Sequence, residues 1–308
     1  MQLFGTYGNA GAAAGIKKGF PWWLTLIFTA ASYLIFRIAA MFAGGIGVAV
    51  ITVSQGGGME DVAKYQESPL MMAIVLLSTV FLIAATFLFA KVVDKIPLRL
   101  MGLKKERSLL RYAAGLVCGF IMFSAAVLMA KLTGAADIAA SGEYQISYIL
   151  FLIPGWIIQG FSEEFLCRGY IMTAIGKRYS TFWGVLINSL VFAVLHGLNS
   201  GLTALALLNL FLFGLFASIA FLVTENIWFV AAVHSIWNFV QGNFYGIPVS
   251  GNKADPLSSF FITSFDPGKS VINGGAFGIE GGLCATTVLL AGSVIAYILY
   301  RKKHPELN

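Results

Sequence analysis

The sequence predicts an all-α, polytopic transmembrane helical bundle of about eight helices with both termini cytoplasmic. Three observations carry this fold class. The 308 residues are 58% hydrophobic and only 11% charged, with mean hydropathy +0.82, whereas soluble domains carry about 25% charged residues. The apolar residues gather into runs long enough to cross a bilayer, which takes ~20 residues each. The Lys and Arg residues fall in alternate loops, as the positive-inside rule requires.

The apolar runs lie near 22–53, 69–92, 110–132, 147–175, 181–197, 202–223, 227–245 and 280–300. The fifth is short, and a tilted or incomplete span is expected there. With the N-terminus inside, the inner loops carry Lys17, Lys18, Lys91, Lys95, Arg99, Lys104, Lys105, Arg107, Arg111, Lys177, Arg178, Arg301, Lys302 and Lys303. The outer loops carry Lys64, Lys131, Lys253 and Lys269, so fourteen basic residues face four. Both termini are basic, which favours an even number of spans. The acids Glu60, Asp61, Glu67, Asp137, Glu143, Asp255 and Asp266 fall outside, but acids weigh little in this rule. The net charge of +6 is membrane topology rather than a nucleic-acid footprint. No nucleic-acid partner is expected.

Trp22 and Trp23 sit where an interfacial aromatic belt belongs. The first run contains Arg37. Either residues 20–36 lie partly in the interface and Arg37 marks the cytoplasmic end, or one tilted helix buries Arg37 against an acid. Residues 93–109 read as a basic amphipathic connector on the cytoplasmic surface. The stretch 246–278 is rich in Gly, Ser, Asn and Pro and reads as a flexible outer loop, too short for a core of its own. Residues 1–308 therefore form a single integral membrane domain. No cleavable signal peptide is expected, and no internal repeat of the transporter kind is visible. Cys118, Cys167 and Cys284 fall in apolar segments without metal-ligand spacing and read as inert packing.

The chemistry concentrates between 145 and 245. Adjacent carboxylates, Glu163 and Glu164, lie inside an apolar segment and are followed by Arg168. Ionisable groups at that depth are costly and mark function by default. Neighbours on a helix differ by about 100°, so the two acids cannot do the same work. Glu164 and Arg168 are spaced i,i+4 with the acid first, the better order for an ion pair. Glu163 points elsewhere and is the candidate base. His196 closes the fifth run. His234 and Asn238, also i,i+4, share one face of the seventh. Counted at about 1.5 Å per residue, Glu163, His196, His234 and Asn238 lie ~21, ~22, ~14 and ~20 Å from the inner surface. Three helices can thus aim polar groups at one buried point.

These motifs resemble the CPBP family of intramembrane proteases, which includes the type II CAAX prenyl endopeptidases and proteins described as bacteriocin self-immunity factors. The family pattern stands here as Glu163-Glu164-Phe-Leu-Cys-Arg168, Phe192-Ala-Val-Leu-His196 and His234-Ser-Ile-Trp-Asn238, in order, with Gly169 and Tyr170 continuing the first motif. The resemblance covers roughly 145–245 and implies a catalytic core there. It implies that Glu163 and His196 activate a water, that His234 and Asn238 stabilise the oxyanion, and that Glu164, Arg168 and Phe192 support the site.

A bound metal, zinc being the candidate, would fall to Glu163, His196 and His234. The lack of a His-Glu-x-x-His helix favours no tightly bound cofactor. The expected activity is hydrolysis of a peptide bond in a membrane-associated, possibly lipidated, peptide or protein that enters from the cytoplasmic side. The expected location is a prokaryotic plasma membrane. The competing readings are a non-catalytic scaffold or immunity factor of the same fold and, with less support, a proton-coupled transporter using Glu163.

Overall fold

A computed structural model describes residues 20–54, 56–58 and 68–305. Lys17, Lys18, Glu60, Asp61, Lys64 and Glu67 lie outside the described residues. Eight helical segments follow one another: α1 (Trp22–Ser54), α2 (Pro69–Val93), α3 (Ser108–Leu132), α4 (Ile146–Arg178), α5 (Thr181–Leu195), α6 (Ala204–Thr224), α7 (Ile227–Phe239) and α8 (Leu283–Lys303). The chain is an all-α helical bundle and a multi-pass membrane protein. Among the described residues, six of the eight segments are long and apolar enough to cross a membrane. The other two are α5, with 15 residues, and α7, which carries His234 and Asn238 in its 13 residues.

The helices begin where side chains can satisfy free backbone N–H groups. Ser68, Ser180, Thr203 and Asn226 accept from Met71, Trp183, Ala206 and Trp228 at the starts of α2, α5, α6 and α7. Helix α1 shows what solvent the bundle expects. Its buried face holds Thr25, Thr29, Ser32, Phe36 and Gly44, while Leu34, Ile38, Met41, Phe42 and Ile46 point outward. Small and hydroxylated residues inside with large apolar residues outside is the arrangement of a helix facing lipid.

Helix α1 is continuous through Arg37. At 33 residues it is longer than the ~20 a bilayer core requires, so part of it extends beyond the core. Arg37 is not buried against an acid: it is exposed and lines a cavity.

Helix α7 is central, packed against α3, α4 and α6. The α3–α7 seam depends on two glycines. A Cβ on Gly115 would strike the Phe229 carbonyl, and one on Gly119 would lie 2.6 Å from the Val233 carbonyl. Gly160 of α4 is equally tight against Ser235 of α7. Small residues let backbones approach closely where no hydrophobic force draws helices together.

Three wide π-turns interrupt the α geometry: Leu88–Val93 ends α2, Phe165–Ile171 lies within α4, and Val240–Phe244 prolongs α7.

The two ends of the bundle differ. At one end Glu225 holds Lys104 at 2.7 Å and Lys303 at 2.8 Å, tying three separate segments together. The connector 93–109 packs inward here, with Ile96 and Met101 fully buried and the Gly102 carbonyl accepting from Ile227 N at 3.0 Å. At the other end β1 (Ala136–Ala140) pairs antiparallel with β2 (Phe261–Phe265). The expected loop 246–278 thus contains a strand, short helical turns including Ser270–Asn273, and anchors such as Asn273 Nδ2 on the Ala135 carbonyl at 2.8 Å. Its composition hid a strand whose partner lies over a hundred residues away.

Candidate active site

Three helices meet at one polar point. Glu163 and Glu164 are the last residues of the regular part of α4, immediately before the π-turn. His196 is the C-cap of α5, and His234 lies on the buried face of α7.

Glu164 and Arg168 are completely buried, with Arg168 Nη1 donating to Glu164 Oε1 at 2.9 Å. The same carboxylate oxygen lies 2.9 Å from His234 Nδ1. Arg168 Nη2 also donates to the Gly214 carbonyl at 3.0 Å, which anchors α4 to α6. Its guanidinium stacks 4.8 Å from the Phe192 ring centre. Phe192 in turn packs against both imidazoles, 4.8 Å from His196 and 5.8 Å from His234. Phe192 is the apolar wall that fixes all three groups.

Both imidazoles are oriented through Nδ1. His234 Nδ1 faces the Glu164 carboxylate, and His196 Nδ1 lies 2.9 Å from its own helix's Phe192 carbonyl. With acceptors opposite both Nδ1 atoms, that nitrogen carries the proton in each ring. Each Nε2 then turns toward Glu163 Oε2, at 3.8 Å from His196 and 3.9 Å from His234. Among the described residues, Glu163 Oε2 has no hydrogen-bond partner. A carboxylate oxygen and two imidazole nitrogens therefore surround one gap. Such a gap suits a molecule that can donate hydrogen bonds, and water is the smallest.

The other oxygen of Glu163 is held. Gln159 Nε2, one turn earlier on α4, donates to Glu163 Oε1 at 2.7 Å, and Asn238 Nδ2 donates to Gln159 Oε1 at 2.9 Å. Asn238 thus reaches Glu163 through Gln159 and keeps a second N–H for another acceptor.

The site opens on a cavity of about 770 Å³, within the range of pockets that enclose sizeable ligands. Its floor includes Glu163, His196, His234 and Asn238, and its far rim includes Ser68 and residues 250–256. That rim belongs to the end of the bundle carrying β1 and β2, away from Lys104, Glu225 and Lys303. Entry from the basic, cytoplasmic end was expected. No residue of the connector 94–107 lines the cavity.

The donor set is chemically apt for zinc, being two imidazoles and a carboxylate with oriented Nδ1 atoms. Ligands of one tetrahedral zinc at about 2.0–2.1 Å stand roughly 3.3 Å apart, closer than the 3.8 and 3.9 Å found here. Among the described residues no group of His, Cys, Asp or Glu is arranged to hold a metal ion.

Residues 145–240, which contain Gln159, Glu163, Glu164, Arg168, Phe192, His196, His234 and Asn238, match the family model for type II CAAX prenyl endopeptidase, Rce1-like. Over these residues the chain is similar to the Rce1-like family. The match spans α4 to α7 and leaves α1 to α3 and α8 outside it. None of the curated proteins matches the chain. An Rce1-like core implies, in general, CAAX intramembrane protease activity, and so a peptide or protein substrate.

Sequence reasoning paired Glu164 with Arg168 but missed that the same oxygen meets His234. It also missed Gln159. The signal for Gln159 was present: it precedes Glu163 by four residues, which puts both on one helix face. Nothing in the sequence signals the π-turn at 165–171.

Proposed function

We propose that the chain is an intramembrane endopeptidase that cleaves a membrane-associated peptide or protein, such as a lipidated one, using water activated at Glu163. The observation that carries this reading is the convergence of Glu163, His196 and His234, from three helices, on one gap in the cavity floor.

In this reading a water in the gap donates a hydrogen bond to Glu163 Oε2 and is oriented by His196 Nε2. Glu163 takes the water's proton as the oxygen attacks the peptide carbonyl carbon. The carbonyl oxygen becomes an oxyanion, stabilised by the second Asn238 N–H and by His234 when its Nε2 is protonated. Donors of this kind each account for ~10²–10³ in rate. The doubly protonated ring keeps its Nδ1–H on Glu164, whose charge balances it. Collapse of the tetrahedral intermediate breaks the C–N bond, and the proton held by Glu163 passes to the leaving amine. Gln159 holds Glu163 in register throughout. No step is routed through a metal. The positive-inside count favours the end with Lys104 and Lys303 in the cytoplasm, in a cell's plasma membrane.

The test is cleavage of lipidated peptides by the purified protein, read by mass spectrometry. Glu163→Ala, His196→Ala and His234→Ala should each lower the rate by ~10²–10⁴-fold while the protein still inserts and melts cooperatively. Full activity in all three variants would refute the catalytic assignment and leave a scaffold.

A further inference from the structure

The cavity contains a charged group that the proposed chemistry does not use. Arg37 lies in the middle of α1, ~22 Å along the axis from Trp22 and ~26 Å from Ser54 at about 1.5 Å per residue. An ionisable residue within a transmembrane helix marks a ligand path or pairs with a counter-charge. Among the described residues Arg37 makes no ion pair, and it lines the same cavity as Glu163, His196 and Asn238.

Its position is fixed by its neighbour. Tyr33, one helical turn earlier and on the same face, donates its hydroxyl to the Leu195 carbonyl at 3.3 Å. Leu195 immediately precedes His196. This contact pins α1 beside the catalytic imidazole, and the Tyr33 hydroxyl feels the charges of both Arg37 and Glu163. Phe36, beside Arg37, is packed into the core. Arg37 is therefore held close to the reacting groups as a cation facing the cavity interior.

We propose that Arg37 forms an anion subsite that receives a carboxylate of the substrate peptide, and so selects which bond is presented to Glu163. This rests on the protease reading above. A peptide brings carboxylates from two sources, its C-terminus and its Asp or Glu side chains. The guanidinium recognises both by the same paired hydrogen bonds. Helix α1 lies outside the Rce1-like residues, so this subsite would be a property of the chain's own N-terminal half. Lys253, at the cavity rim, is the competing cation.

The experiment uses the full-length protein in detergent or liposomes and one farnesylated peptide prepared with a free C-terminus, as its C-terminal amide, and with each acidic side chain replaced by its amide. Wild type should prefer the carboxylate-bearing form, with KM lower by ~10–100-fold. Arg37→Gln should raise KM for that form to the value for the amide and leave the amide's KM and kcat nearly unchanged. Arg37→Lys should restore part of the preference. Which amidation mimics Arg37→Gln tells the C-terminal source from the side-chain source.

Equal losses on acid and amide peptides would mean that Arg37 is only structural and would overturn the inference. A preference that survives in Arg37→Gln and vanishes in Lys253→Gln would move the subsite to the rim and also overturn it. If wild type cleaves and only Glu163→Ala is inert, the protease reading stands whatever Arg37 does. If wild type neither binds nor cleaves any form, both readings fall.

Discussion

Replacing Glu164 with Gln is the sharpest test of how the buried centre is held. In the folded protein this fully buried carboxylate meets Arg168 at 2.9 Å and His234 at 2.9 Å. Glu164→Gln keeps the shape and removes the negative charge, which leaves the Arg168 guanidinium buried without balance. Breaking one side of a buried pair costs about 3–5 kcal/mol, a large share of the roughly 5–15 kcal/mol that holds a typical domain folded. Thermal unfolding in detergent should shift down by ~5–15 °C.

The double variant Glu164→Gln/Arg168→Met removes both charges and should recover most of that loss, because replacing both partners is often neutral. Cleavage should not recover. His234 then lacks the carboxylate that balances its doubly protonated form, and a loss of ~10²-fold or more is expected. A single variant that melts with wild type would refute the reasoning. So would a double variant as unstable as the single.

Gln159→Leu frees the Glu163 Oε1 contact and should lower kcat by ~10-fold with KM little changed; an unchanged kcat would show that Gln159 positions nothing. Gly119→Leu forces α3 and α7 apart, so it should destabilise by ~1–3 kcal/mol or more and reduce cleavage through displaced His234, both read on the same purified sample. Burial opposes the charge of Glu225, but Lys104 and Lys303 outweigh it and hold its pKa down to about 2 from an ordinary 4.5. Its stabilising contribution is therefore full above pH 4.5 and lost as pH falls through about 2. Because Glu225 is half exposed, that contribution should be no more than about 1 kcal/mol. The melting difference between wild type and Glu225→Gln should narrow as the pH is lowered from 6 to 3, and a constant difference would count against it. Cleavage should persist after treatment with 1,10-phenanthroline, and loss of activity restored by added zinc would contradict the metal-free route.

The positions of the helices were legible in the sequence because long apolar runs report directly on a lipid-facing helix, and the observed ends fall within a few residues of those runs. The candidate site was legible because charged and imidazole groups stand out against 58% apolar composition, and because i,i+4 spacing pairs Glu164 with Arg168. What was hidden depends on contacts between distant segments. The strand Phe261–Phe265 is identifiable only beside Ala136–Ala140. The second partner of Glu164 is 70 residues away. For Arg37 the sequence offered a topology marker or a partner for an acid but not a place in the cavity, because its neighbours there come from other helices.

The seven-residue π-turn Phe165–Ile171 has a consequence for how this chain can change. It accommodates more residues per turn than the α-helix on either side, and Arg168 lies within it. Deleting one residue between Glu164 and Arg168 would let the segment relax to regular winding, so the residues downstream on α4 would keep nearly their present direction, and Glu164 and Arg168 would become i,i+3 neighbours still on one helix face. A single deletion should therefore be absorbed better in this stretch than in the regular turns before it, where it swings everything downstream by about 100°, so a scan of single-codon deletions across 150–171 should show its sharpest loss of activity before 165.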